Sequence, residues 1–357
     1  MTVRALLLAS AAALSLMPAA HAADAIVAAE PEPLEYVRVC DAYGKGYFYI
    51  PGTETCLKIG GYVRMDSTFG EEPYAGVNDG WVALSRGELE FDARNDTELG
   101  LLRSYIELRG DATRNGSSEE LYSAYIEIAG FRAGYTDSFY DTWLNSAGAV
   151  INDDVIDYTG DRTNQLSYVY GDVEKGFSAM IGIEDGAGSY AYGPGANQVV
   201  SLAARDTPYF IGGAKYEDSW GGLFGIIGYD TRAEAIGAKI RVELAATDKI
   251  KLFAMAGYQS DWDNSDGPLG TRRRNYYGPW NGDWAAWGGF TATLTEKTSL
   301  NGQVAWEEDG TIASALNVEY KLTNELLLLP ELNYTKFHGL RGNGEAFGGT
   351  LRLQRDF

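Results

Sequence analysis

The residues equipped for chemistry are charged, and they fall in rows. Arg86, Glu88, Glu90, Asp92 and Arg94 take alternate positions, and so do Arg103, Tyr105, Glu107 and Arg109. Arg64 and Arg132 fall on the matching parity of neighbouring segments. A second, acidic set sits between residues 135 and 162: Asp137, Asp141, Asp153, Asp154, Asp157 and Asp161. Opposite charges facing one another across water make and break no bonds. They produce a transverse field that orients dipolar solutes and biases the passage of ions.

Bond-making machinery is sparse. After the first 22 residues one histidine remains, His338, in the glycine-rich stretch 336–344. A hydrolase would have to build its triad on that residue, and no Gly-x-Ser-x-Gly elbow precedes a helical pattern. There is no phosphate-cradling glycine loop between a strand and a helix. No Cys-x-x-Cys or histidine cluster points to a metal. Neither a cofactor nor a metal is expected, and the chain reads as something other than an enzyme.

The elements that carry the charged rows have a period of two. Leu57, Ile59, Gly61, Val63 and Met65 oppose Lys58, Tyr62, Arg64 and Asp66; Ile236, Ala238, Ile240, Val242 and Leu244 oppose Gly237, Lys239, Arg241 and Glu243. Strict alternation over about ten residues is a β-strand with one greasy and one polar face. Short turns are expected at 95–96, 129–130, 172–176, 218–221, 246–249, 296–298 and 323–324. Other links fall at 67–80, 110–119, 135–162, 185–208, 230–232, 259–283, 307–310 and 335–346. Seven turns interleaved with eight links join sixteen antiparallel strands and leave both ends on one side. Such a set closes into a barrel, and sixteen strands enclose an aqueous channel.

Periodicity cannot say which face looks outward; the ends of the chain decide. Met1 to Arg4 is a basic start, Ala5 to Met17 is mainly apolar, and Ala20-His21-Ala22 is a small-x-small cleavage pattern. Residues 1–22 therefore read as a secretory signal peptide. The C-terminus alternates through Phe347, Leu351 and Leu353 and stops on Phe357, as a last strand closing on the first would. Arg355 breaks the apolar parity and is expected at headgroup level, where a long cation can snorkel. Trp81, Tyr258, Trp280, Trp284 and Trp306 are expected near strand ends as interfacial girdles.

Composition agrees. The 357-residue chain carries a net charge of -21, and losing the leader removes only Arg4 among the charges. So acidic a chain is a poor nucleic-acid binder. No apolar run is long enough for a transmembrane helix once the leader is gone. Cys40 and Cys56 are the only cysteines. In an exported chain they allow one intramolecular disulfide, which in the chain-entropy picture contributes roughly 3 kcal/mol. The organisation expected is 1–22 signal peptide, 23–56 N-terminal segment with a disulfide, and 57–357 transmembrane β-barrel.

The stretch VRVCDAYGKGYFYIPGTETCLKIGGYVR, residues 37–64, closely resembles the N-terminal signature of alphaproteobacterial general porins. The final strand ending in Phe357 is similar to the ends of many outer-membrane barrels. The resemblance implies a homotrimer of barrels in the bacterial outer membrane, surrounded by lipid and lipopolysaccharide, passing small hydrophilic solutes and ions. It also implies that the third external loop folds inward. That loop would be 135–162, making Asp137, Asp141, Asp153, Asp154, Asp157 and Asp161 constriction acids. Arg64, Arg86, Arg94, Arg103, Arg109 and Arg132 would be the opposing wall, with Phe357 the terminal assembly signal.

Other readings stay open. The arginines could pair within their own wall, leaving the aspartates as solvated loop charges. A substrate-selective channel, for sugars for instance, would need an aromatic ladder, for which Tyr62, Tyr105 and Tyr125 have the right parity. A plugged barrel would serve as a structural or receptor protein. The acidic excess predicts a weak preference for cations. Acids in 185–208 and 259–283 would bridge lipopolysaccharide phosphates through divalent cations.

Overall fold

A computed structural model describes residues 37–78, 80–158, 160–186, 190–192, 199–201, 206–263 and 272–357. The expected leader and residues 23–36 lie outside them, as do parts of the external acid-bearing segments. The unit Val39–Phe357 is organised by sixteen long strands. They are β1 Cys56–Gly70, β2 Val82–Thr97, β3 Gly100–Thr113, β4 Gly116–Ile128, β5 Phe131–Asp137, β6 Arg162–Gly171, β7 Gly176–Glu184 and β8 Tyr209–Asp218. Then come β9 Gly221–Asp230, β10 Ala235–Thr247, β11 Ile250–Gln259, β12 Trp284–Thr295, β13 Thr298–Glu307, β14 Ile312–Thr323, β15 Leu326–Phe337 and β16 Gly344–Asp356.

Each strand pairs antiparallel with the next, and β16 pairs with β1 from Tyr62↔Asp356 to Gly70↔Gly348. The sheet is therefore closed, with no free edge among the sixteen. The Phe357 amide donates to the Gly61 carbonyl at 3.0 Å, which seals the last residue into the seam.

Closure sorts the two faces. Val63, Ile181, Ile240 and Phe347 are each about 60% exposed on the outside of the barrel. Leaving one such side chain in water forfeits about 2 kcal/mol, so a belt of them around every strand calls for a hydrocarbon surround. The charged rows point inward.

Three local features have simple causes. Asn95 and Asp96 remain paired with Leu102 and Leu101, and the turn falls at 98–99. Turn-forming residues do not end a ladder that its partner strand continues. Likewise β3 and β4 extend to a two-residue hairpin at 114–115, far tighter than the expected link. Pro330 sits within β15, where pairing with β14 lapses between Asn317↔Glu331 and Tyr320↔Leu328. A proline has no amide to donate to that ladder.

The aromatic belt is partly as expected. Trp81 and Tyr258 are exposed, and the Trp284 and Trp306 rings stack edge-on with centroids 5.0 Å apart. Trp280 differs: it is fully buried inside the barrel, over Gly257, where a Cβ would approach its ring to 2.6 Å. Only a glycine leaves room there. Arg355 is exposed beside the turn at 324–325 and lies 3.5 Å from Glu325.

Candidate functional site

The inward arginines of β1–β5 are paired with acids of those strands, some across the ladder and some two positions along the same strand. Arg86 donates in bidentate fashion to Asp111, at 2.6 and 2.7 Å. Arg94 makes a similar pair with Asp92, which also accepts from Arg103. Arg103 and Arg132 share Glu127, at 2.9 and 2.8 Å. Arg109 binds Glu88 and Glu107. Arg64 lies 3.8 Å from Asp66 and over the Tyr62 ring. Among the described residues, the ion pairs of these six arginines are with acids of the same wall. Antiparallel register sets Arg86 opposite Asp111, Arg109 opposite Glu88 and Arg103 opposite Glu127, within reach on one face.

Tyrosine rings hold the guanidinium groups further. Arg103 lies over Tyr105 and Tyr125, whose own centroids are 5.2 Å apart. Tyr122 is flanked by Arg109 and Arg162, at 3.2 and 3.5 Å. Its place follows from a bulge in β4, which opposes Glu107 and Leu108 with Ser123 and Leu121 and leaves Tyr122 over.

Residues 138–161 take the other side. They begin with one helical turn, α1 Phe139–Thr142, capped by Ser138, whose hydroxyl accepts from the Tyr140 amide at 3.0 Å. From there the segment is hydrogen-bonded to inward side chains of five strands. Lys239 of β10 donates to the carbonyls of Tyr140 and Tyr158, both at 2.5 Å. Its neighbour Arg241 donates to Ser146 O at 2.8 Å. Trp287 of β12 reaches Ile156 O, Gln303 of β13 reaches Asp153 O, and Asn317 of β14 reaches Ala149 O. Glu331 of β15 accepts from the amides of Ile151 and Asn152.

Beneath these bonds lies a core inside the barrel. Phe139, Tyr140, Trp143, Leu144 and Ile156 pack on Met180, Phe224, Ile226, Met255 and Trp287 from the wall. The interior is thus two-sided. The wall of β1–β5 is charged, whereas much of the inner face of β7–β13 is apolar and covered. The alternation in the sequence is the same for both, because a covered apolar residue and a lipid-facing one look alike.

The loop acids differ from one another. Asp153 accepts from Tyr158 OH at 2.5 Å, and burial, helped by Asp154 and Glu331, lifts its carboxyl to about 7. Asp141 is raised for the same main reason, with Lys239 opposing. Asp154 accepts from Tyr74 OH at 2.6 Å. Asp157 lies 3.6 Å from Arg274. Asp137 and Asp161 accept through their backbone carbonyls, from Gln165 and Tyr276. Lys239, Arg241, Gln303, Asn317 and Glu331 were legible only as members of polar rows. Nothing in their spacing marks them as seats for a segment 81 to 180 positions away.

Cys40 and Cys56 form the disulfide. The segment it closes pairs Phe48–Tyr49 with the start of β1 and places the Tyr47 ring over Arg94, at 5.2 Å. Burial and a hydrogen bond to Asp92 push the Tyr47 hydroxyl up to about 12. Among the described residues no group of three His, Cys, Asp or Glu is placed to hold a metal.

Comparison with known proteins gives three consistent results. The sequence pattern of a family described as Porin subfamily matches residues 24–347. The chain is 40% identical to porin Omp2b of Brucella neotomae over 377 residues, and 38% identical to porin Omp2a of Brucella melitensis biotype 1 over 384, in each case covering both proteins completely. Its fold is similar to that of the outer membrane channel DcaP of Acinetobacter baumannii, with a TM-score of 0.66 at 16% identity, over 87% of this chain and 99% of that one.

Proposed function

The chain belongs to the porin family, and from that premise we propose that it is a passive diffusion channel of the bacterial outer membrane whose narrowest section lies between residues 138–161 and the wall of β1–β5. Small hydrophilic solutes and ions are its cargo. Family membership makes it a channel, and no catalytic step is assigned to it.

One observation carries the reading of the constriction. The wall arginines are offset by wall acids, whereas the facing segment 138–161 bears five aspartates and is hydrogen-bonded to inward side chains of β10 and β12–β15. Solutes then pass between a charge-balanced wall and an acidic one. The net field favours cations, and Asp141 and Asp153 contribute to it less at low pH, because burial raises both carboxyls to about 7.

Reversal potentials in planar bilayers under a salt gradient test this. Cation sign is expected, and anion sign would overturn it. A series of graded neutral solutes would give the diameter of the narrow section. The working unit proposed is a homotrimer, with lipopolysaccharide around it, so the native mass in detergent should correspond to three chains.

A sugar-selective channel is not favoured. Tyr105 and Tyr125 do touch, but Arg103 already covers both rings.

A further inference from the structure

The segment 274–283, which precedes β12, makes a second excursion into the barrel. Tyr277 is fully buried; its ring lies over Gly228 and its backbone carbonyl over Gly237. A Cβ at Gly237 would fall 1.9 Å from the Tyr277 carbonyl oxygen, so the approach needs glycine. The hydroxyl of Tyr277 donates to Glu184 at 2.7 Å. Glu184, itself 1% exposed, accepts also from the Ser138 hydroxyl, at 2.8 and 3.0 Å to its two oxygens. Ser138 is the cap of α1, the first residue of the inward segment. At the other root, Tyr276 OH donates to the Asp161 carbonyl at 2.6 Å, and the Tyr276 amide is fixed by Asp230. Tyr140, Tyr209, Tyr276 and Tyr277 form one cluster of rings with centroids 4.9 to 6.0 Å apart.

We infer that Tyr276 and Tyr277 are a clamp: they tie the two roots of residues 138–161, already adjacent through the Asp137↔Arg162 pair, to the segment 274–283 and so position the narrow section of the channel. Neither ring touches a permeating solute in this account; both are positioning residues. The inference rests on the reading that 138–161 forms the constriction. Its logic is economy of constraint. The Asp137↔Arg162 pair closes the ends of this loop but leaves open the direction in which it departs from the wall, and the bonds from Tyr276 to Asp161 and from Tyr277 through Glu184 to Ser138 set that direction. Two adjacent tyrosines on one short segment do this through hydroxyls facing opposite roots. The clamp belongs to the segment 274–283 between β11 and β12, itself largely buried within the barrel, so the position of the constriction depends on a segment distant in sequence.

The test compares the full chain with Tyr277→Phe, the double change Tyr276→Phe with Tyr277→Phe, Glu184→Gln, and Gly237→Ala. The first two keep the rings and remove hydroxyls; Gly237→Ala keeps the hydroxyls and displaces the segment. Hydrogen exchange followed by mass spectrometry reads residues 138–161 directly, and single-channel recording reads the pore. Expected results are at least tenfold faster exchange in 138–161 with strand amides unchanged, and open-channel noise with added conductance levels in every variant. Unchanged exchange in 138–161 in the double variant and in Gly237→Ala would overturn the clamp. Faster exchange with an unaltered current would sustain the clamp and overturn the assignment of the constriction.

Discussion

Glu331 accepts two hydrogen bonds from Asn152, one from the backbone amide at 3.0 Å and one from the side-chain amide at 2.8 Å, although 179 positions separate them. The same carboxylate accepts from the Ile151 amide and from Asn317. A buried acid with four donors is well compensated, and a residue of equal shape with fewer acceptors is not. Glu331→Gln presents an amide group to donors and should weaken the seat of 149–153 by about 2 kcal/mol. Hydrogen exchange there should rise roughly thirtyfold. Unchanged exchange would show that Glu331 is a bystander.

Lys239 should matter in a different way. It is the donor for two loop carbonyls, lies 4.2 Å from the Tyr140 ring centroid and is 3% exposed. Lys239→Met fills the space but leaves both carbonyls without that donor, at about 1–3 kcal/mol each. The barrel should still fold, since its pairing does not involve this side chain. Conductance should become larger and noisier. A steady wild-type current would rule out the role of Lys239 as a staple.

The acids give a pH dependence whose sign follows from their direction of shift. Asp153 is lifted to about 7, so its carboxyl carries a proton below that pH and a charge above it. Acidifying from pH 8.5 to 5.5 should therefore reduce cation preference. The proton also favours the seated loop: that contribution is whole below about pH 4 and is lost as pH rises through 7. Exchange in 150–158, corrected for its intrinsic pH dependence, should be slower at pH 5.5 than at 8.5. Asp153→Asn keeps an acceptor for Tyr158 and should flatten the exchange trend and reduce the selectivity trend, the remainder coming from Asp141.

The wall pairs can be unbalanced one charge at a time. Arg86 and Asp111 are joined by two short hydrogen bonds. Asp111→Asn leaves a net positive charge on the wall and should move the reversal potential toward anions. Arg86→Gln should move it the other way. Shifts of the same sign in both variants would contradict a self-neutralised wall.

The disulfide is expected to act locally. Reducing and alkylating Cys40 and Cys56 removes a tether worth roughly 3 kcal/mol to the folded segment. Residues 40–55 should lose protection, and Tyr47 should leave Arg94, while β2–β16 stay paired. Loss of the barrel itself would show that the bridge staples more than this segment.

How much of this was legible beforehand depends on the range of the interaction. The parity of β1, β3, β10 and β14 was read correctly from alternation, because successive Cβ atoms on a strand point to opposite faces whatever the rest of the chain does. The seven short turns and eight links followed from turn chemistry and gave the strand count. Errors came where that local chemistry was overridden, as at 95–96 and 110–119. Trp280 was misplaced for a related reason: its apolar ring suits lipid and a packed interior equally, and Gly257 opposite it is silent in the sequence.

The arginine rows and the acidic segment were found by composition, but their pairing was not. Whether Arg86 meets Asp111 or a loop aspartate is a question of register and loop path, and a charge row carries neither.

Left to itself, the sequence determined a closed set of sixteen two-faced strands, exported and bridged once between Cys40 and Cys56. These follow from period, turn chemistry, the leader-like start and the cysteine count, all of which act over a few residues or in the whole composition. Only the tertiary structure decided that Lys239 and Glu331 seat the segment 138–161, and that Tyr276 and Tyr277 reach its two roots. Such contacts join residues 81 to 180 positions apart. They depend on how the closed sheet brings distant strands to one interior, which no local pattern encodes.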